Sequence, residues 1–255
     1  MFRTIRIALL LIVLVGVAAS AWLTKLRTTS WERPLRVAVF PINADGSPDT
    51  ARYIEALSVD SFRSIADFMT QEAQRYELAL QTPVDLFLAP QIQRVPPPPP
   101  FGGNIVQVML WSLQLRYWVW VNAEFAGPKP HVRMLVLYFD PQHATRVAHS
   151  LGLQKGLIGV VNAFATRSQN AQNNIVIAHE LLHTVGATDK YDPATNQPLY
   201  PQGYAEPEQQ PLLPQRFAEI MGGRVPLTQA DAEMPDGLEQ VLIGADTARE
   251  IRWLK

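Results

Sequence analysis

Apolar residues fall along this chain in three kinds of run. The first, Ile7 to Leu23, carries no charge and follows a start that holds Arg3 and Arg6. Its length is near the roughly 18 residues that a membrane-spanning helix needs. It reads as a signal anchor or a cleaved signal peptide, with Ala19-Ser20-Ala21 as the cleavage site in the second case. Residues 24–34 read as a polar linker. The second kind is short and β-branched: 35–42, 84–90, 131–140 and 155–166 predict strands. The third has helical spacing. Ile54, Leu57, Phe62, Ile65, Phe68 and Met69 predict a helix within 50–80. Residues 104–122 and 172–185 predict two more, and weaker patterns cover 228–242 and 245–254.

Between these elements lie a turn cluster, "NADGSPDT", and a proline run, "RVPPPPPFGG", that excludes a helix or central strand. The 104–122 segment is too polar on one side (Asn104, Gln107, Gln114, Arg116) for a second membrane span. Its aromatic cluster, Trp111, Tyr117, Trp118 and Trp120, reads as core or membrane-proximal surface. The expected architecture is a mixed α/β (α+β) domain over 35–255. One twisted mixed sheet would be backed by helices, with the 172–185 helix packed beneath it.

Composition narrows the chemistry. The net charge is −1 and no basic stripe is present, so nucleic acid is not an expected partner. The chain has no cysteine. Disulfides, thiolate metal sites and Cys nucleophiles are thereby excluded, and any metal must be held by His, Asp or Glu.

One stretch supplies such residues in a telling order: "IVIAHELLHTVGATDKYD", 175–192. On a helix, positions i and i+4 share one face, so His179 and His183 can point at a single ion. Glu180 is rotated away from that line but within reach of a water on the ion, where it can act as general base. Gly186 is placed to end the helix in a left-handed turn. Asp189 can then swing back as third ligand, with Asp192, Glu206, Glu208 and Glu219 as alternatives. Asp140, His143 and His149 also lie close in sequence, but their spacing fits no ligand pattern and they read as solvated loop residues.

His179-Glu180-Leu181-Leu182-His183-Thr184-Val185-Gly186-Ala187-Thr188-Asp189 resembles the metzincin zinc-binding consensus, with Asp in place of the usual third His, as in the snapalysin-like branch. The sequel "DKYD" is similar to a pattern of immune-inhibitor-A-like secreted peptidases. "AEIMGG", 218–223, resembles the methionine turn of metzincins, with Met221 as its methionine.

The resemblance implies a Zn2+ cofactor held by His179, His183 and Asp189, and hydrolysis of peptide or protein substrates with Glu180 as base. It also implies that Tyr191 stabilises the oxyanion. An edge strand just before the zinc helix would pair with the substrate, placing Asn162, Ala163, Phe164 and Ala165 along the cleft. Two other functions fit the same residues: a non-catalytic, membrane-anchored binding module with structural zinc, and a metal-dependent amidase of cell-wall cross-bridges. In each case the N-terminal run puts the domain outside the cytoplasm, membrane-anchored or, if the run is cleaved, secreted.

Overall fold

A computed structural model describes residues 28–100, 102–143, 150–153 and 156–254, together with positions 6, 11, 15 and 16. The expected membrane segment therefore falls almost wholly outside the described residues. Among the described residues, no helix is long and apolar enough to cross a membrane.

The four strands predicted from β-branched runs form, with one further strand, a five-stranded sheet. Its strands are β1 (Leu35–Asn43), β2 (Val84–Leu88), β3 (Val132–Phe139), β4 (Leu151–Leu153) and β5 (Ile158–Phe164), in spatial order β2-β1-β3-β5-β4. All neighbours are parallel except β4, which runs antiparallel to β5 at the edge. The sheet is covered on both faces, which is why its central strands are apolar at nearly every position. Along β1, Val37 and Val39 join one core while Ala38, Phe40 and Ile42 join the other.

Four helices make the two outer layers. On one face lie α1 (Pro48–Glu55), α2 (Arg63–Arg75) and α4 (Asn170–Val185), through Ile54, Ile65, Phe68, Met69, Ile177 and Leu181. The opposite face is covered by α3 (Ile105–Asn122), through Trp111, Leu115 and Val119. Placing the helices after β1 and after β2 on opposite faces lets the chain step outward to β2 and back to β3, each time by a crossover of the favoured hand.

Several boundaries differ from the sequence expectation. The helix within 50–80 is two helices, because Ser58 and Ser61 form a reciprocal capping box that starts a new turn. The 155–166 run gives β5, but β4 before it was not anticipated. No helix forms over 228–242, where Pro235 and Gly237 interrupt the pattern; only a 3-10 turn, Leu238–Gln240, and two short strands appear. The 245–254 pattern gives α5 (Ala245–Glu250). Residues 28–34, expected as linker, belong to the domain: Thr28, Thr29 and Trp31 are buried, and the Trp31 indole donates to the Ile251 carbonyl at 2.7 Å.

Candidate metal centre

The C-terminal half of α4 carries the His-Glu-x-x-His residues. Ile175, Ile177, Ala178, Leu181, Leu182 and Val185 are buried in the core and fix the helix rotation. His179 is left facing a cleft of about 600 Å3 whose walls include Glu180, Asp189, Tyr191, Arg224 and Met234, with His183 one turn further along the helix. Gly186 ends the helix at φ 119°, and its N–H reaches back to the Leu182 and His183 carbonyls. Only glycine adopts this conformation without strain, and it reverses the chain so that Asp189 returns to the histidines.

Backbone carbonyls set both imidazole tautomers. His179 Nδ1 lies 2.8 Å from the Ile220 carbonyl and His183 Nδ1 lies 2.9 Å from the Ala187 carbonyl. A carbonyl only accepts, so each Nδ1 carries the hydrogen and each Nε2 is freed as a lone-pair donor to a cation. The two Nε2 atoms are 3.1 Å apart, and Asp189 Oδ1 is 3.0 Å from one and 3.1 Å from the other. Three electron-rich atoms this close repel one another unless a proton or a metal ion lies among them. His179, Glu180 and His183 form a group able to hold a metal ion, with ligand atoms within 4.8 Å of one another.

The charges respond accordingly. Burial disfavours the His179 cation, but the Asp189 hydrogen bond, the Glu180 charge and the Ile220 carbonyl outweigh it and move its pKa up. Burial also opposes the Asp189 charge, yet hydrogen bonds and charge from the two histidines hold its carboxyl far below the usual range. Glu180 is 5% exposed, and its Oε2 is buried without a hydrogen-bond partner. Burial lifts its pKa; the two histidines pull against this and Asp189 adds to it, leaving the net shift upward.

Two further elements frame the centre. The edge strand β4 lies so close to α4 that a Cβ on Gly152 would meet His183 Cβ at 2.4 Å and the Glu180 carbonyl at 2.6 Å. Gly152→Ala is therefore expected to destabilise the domain by about 1–3 kcal/mol through overpacking, read as a lower denaturant midpoint.

Below the histidines, the turn at 219–223 is held by Glu219. This carboxylate is fully buried and accepts from the Met221 and Gly222 N–H groups, at 2.6 and 2.8 Å, through one oxygen. Through the other it accepts from the Gly244 N–H and the Thr247 hydroxyl, at 3.0 and 2.6 Å. Burial pushes its pKa up, against the pull of these hydrogen bonds. Met221 itself is fully buried. The sequence offered Glu219 only as a rival ligand, since a carboxylate that clamps backbone and one that binds metal look alike in sequence.

The remaining candidates divide. Glu206 pairs with Arg216, and Asp192 caps its own turn at Ala194 and Thr195, so neither joins the centre. Glu208 is exposed. Tyr191 lines the cleft with its ring 6.3 Å from that of His179. Burial and the charges of Asp189 and Glu180 raise its pKa, so it stays a protonated phenol.

Asn162 lines the cleft, but β5 is not the edge strand that was expected: β4 covers its Ile158–Val160 half. Ala163 is buried in the core, Ala165 packs against it, and the Phe164 backbone is clasped by the Asn173 amide. Asp140 is buried and bonded to His143, and His149 lies outside the described residues.

Thr188 and Lys190, on either side of Asp189, are both tied to Glu250 of α5: the Thr188 hydroxyl at 2.6 Å and the Lys190 ammonium at 2.7 Å. The chain matches no known protein family, and no curated protein is significantly similar to it.

Proposed function

We propose that this protein is a zinc-dependent peptidase, metzincin-like in its catalytic domain and tethered outside the cytoplasm by residues 7–23. The observation that carries the proposal is the meeting of His179 Nε2, His183 Nε2 and Asp189 Oδ1 at 3.0–3.1 Å beside the unpaired carboxylate oxygen of Glu180. Bonds of about 2.0–2.1 Å at tetrahedral angles bring ligand atoms to roughly 3.3 Å from one another, close to this spacing. Three protein ligands with one position open is the pattern of a catalytic rather than a structural zinc. A buried turn carrying Met221, reached by His179 through the neighbouring Ile220 carbonyl, supports the metzincin reading.

When bound, the metal would supply Lewis acidity, lowering the pKa of a water and polarising the scissile carbonyl. The protein supplies the rest. Glu180 removes a proton from the attacking water as its oxygen bonds to the carbonyl carbon, then delivers that proton to the amine nitrogen as the C–N bond breaks. Tyr191 donates its phenolic hydrogen to the developing oxyanion. The substrate lies extended beside β4, which has no strand partner on its outer side among the described residues. Thus β4 takes the part that sequence reading gave to 162–165.

The test is metal content by plasma mass spectrometry, wild type beside Asp189→Ala. About one zinc per chain is expected in the wild type, falling to near zero in the variant after dialysis. Zinc retained in both would remove Asp189 from the ligand set. No zinc in either after reconstitution would leave a protonated His179 paired with Asp189 beyond the helix end and would end the proposal.

A further inference from the structure

Among the described residues, nothing covers the outer face of α3. At about 100° per residue, Trp111, Leu115 and Val119 fall on the buried side of this helix. The opposite arc holds Ile105, Met109, Trp120, Leu113, Val106, Tyr117, Leu110 and Val121, every one a large apolar or aromatic side chain and exposed. This arc spans roughly 160° by the same angle; Arg116, half-buried, falls near its edge between Ile105 and Met109 and is the single charged residue of the helix. Two broad apolar faces on one helix each call for a core or for lipid, and only one of those of α3 is in a core.

We infer that this face of α3 lies in the headgroup–acyl boundary of the membrane to which the chain is tethered. The inference rests on the tether reading above and not on the peptidase reading.

Chain length places the surface there. Thr28 is already buried in the domain, five residues after the apolar run ends at Leu23. Five residues span at most about 18 Å, so the domain cannot leave the bilayer that holds that run. Thr28 also lines a cavity with His131, the residue that closes the connection from α3 to β3. The tether therefore enters at the end of the domain to which α3 leads.

The chemistry of the face agrees with lipid. Trp120 and Tyr117 stack near this end with ring centroids 5.9 Å apart, and Trp and Tyr favour the membrane interface. The hollow beside Trp120 includes Lys129 and Arg133 against one acid, Glu124, so its balance favours anionic headgroups. Because α3 and α4 sit on opposite faces of the sheet, this docking turns the metal cleft away from the bilayer and toward soluble substrates.

The absence of cysteine makes the test direct. Leu113→Cys and Tyr117→Cys, each exposed, and Gln74→Cys on α2 as a reference, would carry a nitroxide in the full chain reconstituted with vesicles of mixed zwitterionic and anionic lipid. Collision with oxygen and with a water-soluble nickel chelate gives a depth parameter, positive in acyl chains and negative in water. Expected values are positive at 113 and 117 and negative at 74. Negative values at all three in vesicle-bound protein would overturn the α3 inference alone. Dipolar broadening between labels at 113 would overturn it in favour of a second copy on this face. Failure of the full chain to float with vesicles would overturn the tether and this inference together.

Discussion

Glu180→Gln will abolish most peptide hydrolysis while leaving the metal in place. Removing a positioned general base costs about 10²–10⁴-fold in rate, and the loss should fall on kcat, because in the proposed reaction Glu180 acts on the reacting water and not on substrate binding. Gln keeps the size of the side chain but cannot accept and return a proton. Its neighbours His179 and His183 keep their carbonyl partners, Ile220 and Ala187, so the ligand tautomers are undisturbed. The measurement is kcat and KM on a cleaved library peptide, with metal content on the same samples. Equal activity in wild type and variant would remove Glu180 from the mechanism. Absence of hydrolysis by both, with zinc bound, would favour a binding module.

Glu219→Ala will be the most damaging substitution for stability outside the apolar core. It strands the Met221 and Gly244 N–H groups and the Thr247 hydroxyl, all directed at a fully buried carboxylate, while the Gly222 N–H keeps the residue-219 carbonyl at 3.0 Å. Unsatisfied buried donors cost about 1–3 kcal/mol each before relaxation, so a net loss of about 4 kcal/mol is expected. For a domain of this size that lowers Tm by roughly 8–16 °C. Metal affinity should fall as well, by roughly 10–100-fold, the usual effect of disturbing a ligand's outer partner, since Ile220 sits inside the turn that Glu219 holds. Thermal unfolding of metal-free protein separates the two effects. An unchanged Tm would show that the turn does not depend on the clamp.

Much of the sheet was legible in the sequence because burial on both faces writes continuous β-branched runs, as at 35–42 and 131–140. The metal helix was legible for a different reason. Histidines four apart, an adjacent Glu and a glycine at the left-handed end each have few other uses in an apolar segment. β4 was not legible: "LGL" is too short to show alternation, and its place depends on Gly152 allowing contact with α4. That omission also misplaced the sheet edge onto β5. The apparent 228–242 helix failed because apolar spacing says nothing of Pro235 and Gly237 within it. Glu219 was visible only as a carboxylate, because nothing local marks which distant donors will converge on it.

The clamps on the metal centre also set an order of events during synthesis. α4 and Asp189 emerge before their supports: the turn beneath His179 is fastened by Gly244 and Thr247, and the loop around Asp189 by Glu250. A nascent chain that has not yet delivered residue 250 holds both histidines on a helix without the scaffold that aims them. Acquisition of the proposed ion would therefore follow synthesis of α5, once that helix has closed against the loop.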